Sequence, residues 1–252
     1  MKIKYFSKLI IPVLLYSSAL QAGLPPEYSA VYTLNKFGMH AAEATSSLQK
    51  KQDGSWLYRS ETETRGLISV FRKDRIIEQT VLQEQSGIIR PVNYQYIHKG
   101  SKKNRDRSIS FDWDKLTASS MVSGQRSTLA IKPETVDNFS LQLKLMHDLK
   151  TDRLPLIYHV IRKGKVSDYE FEILGNEQIE TDAGNFKTIK LKRSRKDSKR
   201  ATIMWAAPEL HFLPVKIQHI EPDGSQFSLL LKSVSGKIIE PTAPAGLTAE
   251  SD

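Results

Sequence analysis

The sequence predicts a mainly β protein: a single large, curved antiparallel sheet, a half-barrel or open barrel, with one principal α-helix packed on it or plugging it. Three observations predict this fold. Apolar and polar residues alternate through most of the chain, as on strands with one buried face. Turn signatures separate the alternating runs. One segment instead has its apolar residues at helical spacing.

The strands are predicted where the alternation is clearest. In one run Ile109, Phe111 and Trp113 fall on the same face, with polar residues between them. About ten to twelve short strands are expected, the number typical of a large antiparallel sheet, sandwich or barrel. The clearest runs are residues 29–34, 42–49, 56–60, 109–113, 156–161, 169–174, 186–191, 201–205, 213–220 and 227–231.

Two four-residue segments predict tight turns. The Gln-Asp-Gly-Ser segment at 52–55 leads into the strand that begins at Trp56. The Glu-Pro-Asp-Gly segment at 221–224 joins the last two strands, because proline presets φ and glycine accepts a positive φ.

A helix is predicted from Thr135 or Asp137, either of which could cap it, to Leu149, between Pro133 and Pro155. Its apolar positions cover more than half of its circumference, so most of it must be covered. Two interpretations remain open: ordinary core on one sheet face, or a plug in the open side of a curved sheet. The apolar positions are Val136, Phe139, Leu141, Leu143, Leu145, Met146 and Leu149.

Residues 23–239 are predicted to form one domain, since neither a repeat nor a linker divides them. The apolar run Gly66–Phe71 fits a strand end, a loop or a short helix. Residues 240–252, with two prolines and a glycine, predict a flexible tail.

The first 22 residues predict a signal peptide. Three lysines precede a short apolar run, and small residues follow it. The run is shorter than the roughly 20 residues that span a bilayer. Cleavage is expected after Ala22, with Ala19 as the alternative.

The chain has no cysteine, which excludes lipid attachment at a cysteine, disulfides and thiolate sites. A soluble protein of the bacterial periplasm is therefore expected. Without the three signal lysines, 34 basic residues face 28 acidic ones, a net charge of +6. Outside the cytoplasm this charge favours lipid head groups, an anionic membrane surface or an envelope protein over nucleic acid.

Catalytic and metal motifs are missing from the sequence. Six histidines lack a metal-binding spacing, and neither a Gly-x-Ser-x-Gly elbow nor a phosphate-binding glycine loop occurs. Asp112 and Asp114 would share the outer face of a strand, in solvent. We therefore predict no catalytic residue, no metal and no cofactor.

Two basic hairpins are candidates for contact with an anionic surface, provided that they lie side by side. Such residues add about 1 kcal/mol each near an anionic surface. The alternative is that they keep hairpin tips and strand edges soluble. The candidates are Lys102, Lys103 and Arg105 in the first hairpin, and Lys190, Lys192, Arg193 and Arg195 in the second.

A hydrophobic or amphiphilic ligand could lie between the sheet and the helix. The same side chains could equally be plain core. The candidate lining residues are Phe111, Trp113, Phe139, Leu143, Met146 and Trp205.

Several short motifs, in this order, resemble an exported bacterial family of unknown function, number 3108 in the domain-of-unknown-function series (DUF3108). The resemblance covers nearly all of the mature chain and implies export, but it supplies no active-site residue. The last motifs also resemble periplasmic carriers of lipids or lipoproteins, which are half-barrels with helices in the mouth. The motifs are a first strand with Tyr32, the strand Phe111-Asp112-Trp113, Asp137-x-x-Ser140, the segment 181–186, Trp205, Leu213-Pro214-Val215 and Asp223-Gly224.

Three functions follow, in this order. The first is a non-enzymatic periplasmic protein that binds a lipid-like envelope ligand. The second is an interaction or scaffold protein that uses its sheet edge or basic hairpins. The third is an envelope hydrolase, which would require converging carboxylates or a histidine in a cleft.

Overall fold

The computed structural model describes residues 23–36, 38–65, 73–85, 87–100, 105–194 and 200–239. The predictions for the signal peptide, for Gly66–Phe71 and for the tail at 240–252 lie outside these residues. So do Lys102, Lys103 and Arg195. Among the described residues, no helix combines the length and the apolar character needed to cross a bilayer.

Fifteen strands form one continuous sheet within the described residues. The first arm contains β1 Tyr28–Lys36, β2 Met39–Lys50, β3 Trp56–Thr64, β4 Arg75–Gln85, β5 Ile88–Lys99, β6 Arg105–Asp112, β7 Thr117–Val122 and β8 Gln125–Ala130. The second arm contains β9 Val136–Asp137, β10 Ile157–Arg162, β11 Lys165–Thr181, β12 Gly184–Ser194, β13 Ala201–Ala207, β14 Leu213–Ile220 and β15 Gln226–Gly236. Between β9 and β10 lies helix α1, Leu141–Lys150.

The strand order explains how the two arms meet. The first arm runs as a meander from β1 at the centre to β8 at one edge. The chain then crosses to the other edge, where β9 pairs in parallel with β10, and the second arm returns to pair β15 antiparallel with β1. The prediction of ten to twelve strands was too low, because β4, β5, β7 and β8 were missed. Adjacent isoleucines, as at Ile76–Ile77 and Ile88–Ile89, blur the period-two pattern there.

The two arms fold toward each other, so the sheet is nearly closed. Ile161 of β10 is fully buried in a cluster with Tyr94 of β5 and Ile109 of β6. At the β10–β11 turn, a methyl group on Gly164 would lie 3.5 Å from Ser127 Oγ of β8. The far edge of the second arm therefore packs on the inner face of the first.

Helix α1 lies inside the curve and is buried on two sides. Leu143 and Met146 pack in one cluster with Tyr58 and Leu231 of the central strands. A second cluster comprises Leu141, Leu145 and Leu149 of the helix with Tyr158, Phe171, Leu191 and Met204 of the second arm. The helix thus fills the space between the arms, as expected of a plug.

The helix begins later than predicted, at Leu141 rather than at Thr135 or Asp137. Val136 and Asp137 pair with Val160 and Ile161 as strand β9 instead. The buried carboxylate of Asp137 accepts hydrogen bonds from the backbone N–H groups of Phe139 and Ser140, both at 2.8 Å. It therefore binds the chain that leads into the helix, although it is not the cap residue itself.

Candidate anion-binding cleft

Two pockets open side by side at one end of the space between the arms, and we call them together the cationic cleft. The first, about 240 Å³, lies between the inner face of β4–β7 and strand β10. The second, about 280 Å³, lies on the inner face of β10–β15. Asn138 and Arg162 line both pockets. The cleft therefore extends across the junction of the two arms.

Strand register determines which side chains enter the first pocket. Tyr96 of β5 pairs with Arg107 of β6, which in turn pairs with Val122 of β7. Paired residues project from the same face of a sheet, so these three side chains form one row across the inner face. The guanidinium of Arg107 lies over the ring of Tyr96, 4.5 Å from its centroid.

The second pocket has a corresponding row. Arg193 of β12 pairs with Thr202 of β13, and Thr202 pairs with His219 of β14. Arg193 lies over the ring of Tyr169, 4.9 Å from its centroid, and its Nη2 donates to Thr202 Oγ1 at 2.8 Å. Thr202 Oγ1 also lies 2.8 Å from His219 Nδ1. Burial, with a contribution from Arg193, lowers the pKa of His219 to about 4, so this histidine is neutral near pH 7.

The β10–β11 turn adds two further basic side chains between the pockets. Lys163 and Gly164 both have positive φ, 51° and 74°, as a two-residue type I′ hairpin requires. The pKa of the Lys163 ammonium is lowered, first by the Arg162 guanidinium, then by burial and by Arg107, Arg200 and Arg105. Because Arg107 and Arg200 belong to the two predicted basic hairpins, these hairpins face one another across the cleft.

Two carboxylates accompany the five basic side chains that line the pockets. Glu78 accepts a hydrogen bond from the Tyr94 hydroxyl at 2.7 Å, and burial raises its pKa to about 7. Glu221 accepts a hydrogen bond from Arg200 Nε at 2.5 Å. Near pH 7, with Glu78 about half neutral, positive charge predominates in the cleft.

The predicted apolar lining residues are distributed over three places. Phe139 stacks on Tyr58, with ring centroids 4.0 Å apart, and packs with Leu143 and Met146 in the core. Phe111 and Trp113 stack on each other at 5.5 Å, at the edge of the cluster around Ile109.

Trp205 lies apart from these residues. It pairs with Lys190 and Lys216, whereas Met204 beside it pairs with Leu191 and faces the helix. Because neighbouring residues of a strand point to opposite faces, Trp205 lies on the outer face of the sheet. Lys190 and Lys216 cover its ring at 5.2 and 4.5 Å from the centroid.

The described basic candidates are divided in the same way. Arg193 lines the second pocket, and Arg105 is close enough to lower the pKa of Lys163. Lys190 is bound to Glu177 on the outer face, and the exposed Lys192 shares that face through the alternation of β12. Only part of each predicted cluster therefore faces the cleft.

Sequence reasoning missed the residues at the centre of the cleft: Asn138, Arg162, Lys163 and Glu78. The Arg-Lys-Gly-Lys segment at 162–165 was a usable signal, since it is a basic tight turn between two apolar runs. No comparable signal marks Asn138 or Glu78, whose role depends on contacts between distant strands.

Comparison with protein families identifies the chain. The family model described as "Protein of unknown function (DUF3108)" matches residues 27–232. The chain belongs to the DUF3108 family. This confirms the resemblance predicted from the order of its short motifs. Among curated proteins, none matches the sequence.

Solved structures confirm the fold class of this DUF3108 protein. A β-barrel-like protein of the DUF1849 family from Brucella abortus is similar with a TM-score of 0.56 at 9% identity, over 84% of this chain and 98% of that chain. A chain of the Pseudomonas aeruginosa MucA/MucB complex is similar with a TM-score of 0.35 at 10% identity. That match covers 85% of this DUF3108 chain but 53% of the other.

Proposed function

We propose that this DUF3108 protein is an exported, non-enzymatic binding protein of the bacterial periplasm, and that its cationic cleft holds the anionic group of an amphiphile. The observation that carries the proposal is the convergence of Arg107, Arg162, Lys163, Arg193 and Arg200 around two adjoining pockets. Their charge is only partly balanced by Glu78 and Glu221. Such a site attracts and orients anions.

The walls of the cleft also offer apolar surface. Tyr96, Ile109 and Val122 line the first pocket, and Ile220 and Phe227 line the second. Binding pockets commonly combine apolar walls with a few polar groups that fix the ligand's orientation. An alkyl chain attached to the bound anion would contact these walls.

A deeper apolar site around Phe111, Trp113, Phe139, Leu143 and Met146 stays a prediction. Phe139, Leu143 and Met146 already pack against neighbouring side chains. An alkyl chain would reach them only if helix α1 moved. The cleft needs no such movement, and for this reason it is the site that we propose first.

Titration calorimetry with two amphiphiles of equal chain length tests the function. Dodecyl phosphate should bind, and dodecyl maltoside, which is uncharged, should bind at least about tenfold more weakly, both below their critical micelle concentrations. Replacing Arg162→Gln should weaken dodecyl phosphate binding by about 1.5–3 kcal/mol, the range for a hydrogen bond to a charged group.

Arg126→Gln is the matched control for this experiment. Arg126 pairs with Met121 on the face opposite to Ser120 and Val122, so it removes the same charge outside the cleft. Equal binding of the two amphiphiles, or equal losses in the two variants, would contradict the proposal. A protein partner cross-linked to the sheet edge, without dodecyl phosphate binding, would favour the interaction function instead.

A further inference from the structure

The two pockets of the cationic cleft are built from matching parts. Each contains an arginine that lies over a tyrosine ring: Arg107 on Tyr96 in the first, and Arg193 on Tyr169 in the second. An aromatic ring beneath a guanidinium restricts its position and leaves its N–H edge available to an anion.

The correspondence extends to the other polar groups. Each pocket has a second basic side chain, Lys163 in the first and Arg200 in the second. Each also has a buried hydroxyl-bearing residue, Ser120 in the first and Thr202 in the second. The polar equipment for one anion is thus present twice, on strands from opposite arms.

Arg162 and Asn138 connect the two sets, because both side chains line both pockets. Within the part of the chain that the structure describes, no hydrogen bond or ion pair joins the Arg162 guanidinium to another residue. A guanidinium has five N–H donors in a planar fork, enough for acceptors on two sides. Arg162 is therefore placed to serve two anionic groups at once.

We infer that the pockets are two subsites for a single ligand that carries two anionic groups, as a bisphosphate does. This inference rests on the proposed function and narrows the class of amphiphile to one with two charged groups. Each group contacts the arginine seated on the tyrosine of its own pocket, and Arg162 lies between them. Joining the two groups makes the second contact intramolecular, which raises the affinity without any new contact.

The test compares alkylphosphonates with α,ω-alkane bisphosphonates of increasing chain length by titration calorimetry. The monophosphonate should bind with a stoichiometry of two. The bisphosphonate should bind with a stoichiometry of one, and at the chain length that matches the span it should bind about 100-fold more tightly.

Variants assign the subsites. Arg107→Gln and Arg193→Gln should each leave one monophosphonate site and reduce bisphosphonate affinity to that of the monophosphonate. Arg162→Gln should weaken both sites, and Arg126→Gln should weaken neither. Circular dichroism and thermal melting identify any variant that has lost its fold, and Lys at position 107 or 193 then replaces Gln as a milder change.

Three results would overturn the inference. One is a single monophosphonate site with no gain for a bisphosphonate of any length; with dodecyl phosphate still bound, the proposed function would survive it. Another is a loss of both sites in Arg107→Gln alone, with the fold intact. The third is a single-stranded oligonucleotide that binds more tightly than every bisphosphonate, which would indicate a polyanion rather than a ligand with two charged groups.

Discussion

Glu78 is the residue of the cleft whose charge changes near neutral pH. It lies on the inner face of β4, where burial is the main cause that raises its pKa to about 7. The hydrogen bond from Tyr94 and the charges of Arg107 and Arg162 favour its ionised form, whereas the nearby Asp137 disfavours it. Glu78 is therefore mostly neutral at pH 6 and mostly ionised at pH 8.

Sulfate binding should consequently weaken as the pH rises from 6 to 8. Sulfate stays a dianion over this range, and His219, with a pKa of about 4, stays neutral. An additional carboxylate charge in the first pocket should reduce sulfate affinity about tenfold. Titration calorimetry at both pH values measures the change, and Glu78→Gln should abolish it. An unchanged pH dependence in this variant would show that another group is responsible.

The same residue should influence folding stability in a defined direction. The folded-state pKa of Glu78 lies above that of an exposed glutamate, so the folded protein binds more protons between about pH 4.5 and 7. Stability from this group is therefore present at low pH and is lost as the pH rises through 7. Glu78→Gln should melt at a higher temperature than the unchanged protein at pH 8, and with a smaller difference at pH 5.

At the scale of single elements, helix α1 connects the two arms through apolar contacts on opposite sides. Its polar residues are also satisfied inside the fold: Lys144 Nζ donates to both carboxylate oxygens of the buried Asp148, at 2.6 and 2.8 Å. Glu134 lies 3.3 Å from the same ammonium. The helix is thus fastened within the sheet on its polar as well as its apolar sides.

Leucine truncations on both sides of the helix should therefore be costly. Leu143→Ala in the first cluster and Leu145→Ala in the second should each reduce the free energy of unfolding by about 2–5 kcal/mol, the cost of a core cavity. Denaturant unfolding measures both values, and the less buried Gln142→Ala serves as control. A loss below about 0.5 kcal/mol for either leucine would mean that the helix packs on one side only.

The β10–β11 turn illustrates how one short element completes the site. Its sequence predicts a basic hairpin turn, but not that Arg162 and Lys163 lie between two other basic hairpins. That position arises because Ile161 is buried among residues of β5 and β6. Local sequence therefore specifies the turn, and packing between the arms specifies what faces it.

At the scale of the whole molecule, the predicted export signal ends next to a chain that is fixed to the fold. Leu24 is buried in the core, and the Gly23 carbonyl oxygen lies 3.3 Å from His147 Nδ1 of the helix. Cleavage after Ala22 would place the new N-terminus beside these contacts. Cleavage after Ala19 would leave three further residues before Gly23.

Intact-mass spectrometry of the exported protein tests the signal prediction. We expect the mass of a chain that begins at Gly23, because small residues precede this position as a signal peptidase requires. Ala22→Arg should prevent this cut or move it to the position after Ala19. A mass that still includes residues 1–22 in the exported protein would contradict the prediction.

The sequence by itself determined the class of fold, most of the strands and the presence of one covered helix. These features follow from the spacing of neighbouring residues, such as the alternation at Ile109–Trp113 and the helical spacing of Leu141, Leu145 and Leu149. It also identified both basic hairpins, since each is a continuous run. The order of its short motifs was enough to indicate the DUF3108 family.

Only the tertiary structure decided which of these residues meet. Arg107 and Arg193 are more than 80 positions apart, and their common cleft depends on strand order, on register and on the folding of one arm over the other. Register also separated Arg193 from Lys192 and placed Trp205 outside, because a shift of one residue changes the face of a sheet. Periodicity predicts which residues share a face of one strand, but not which strand lies opposite.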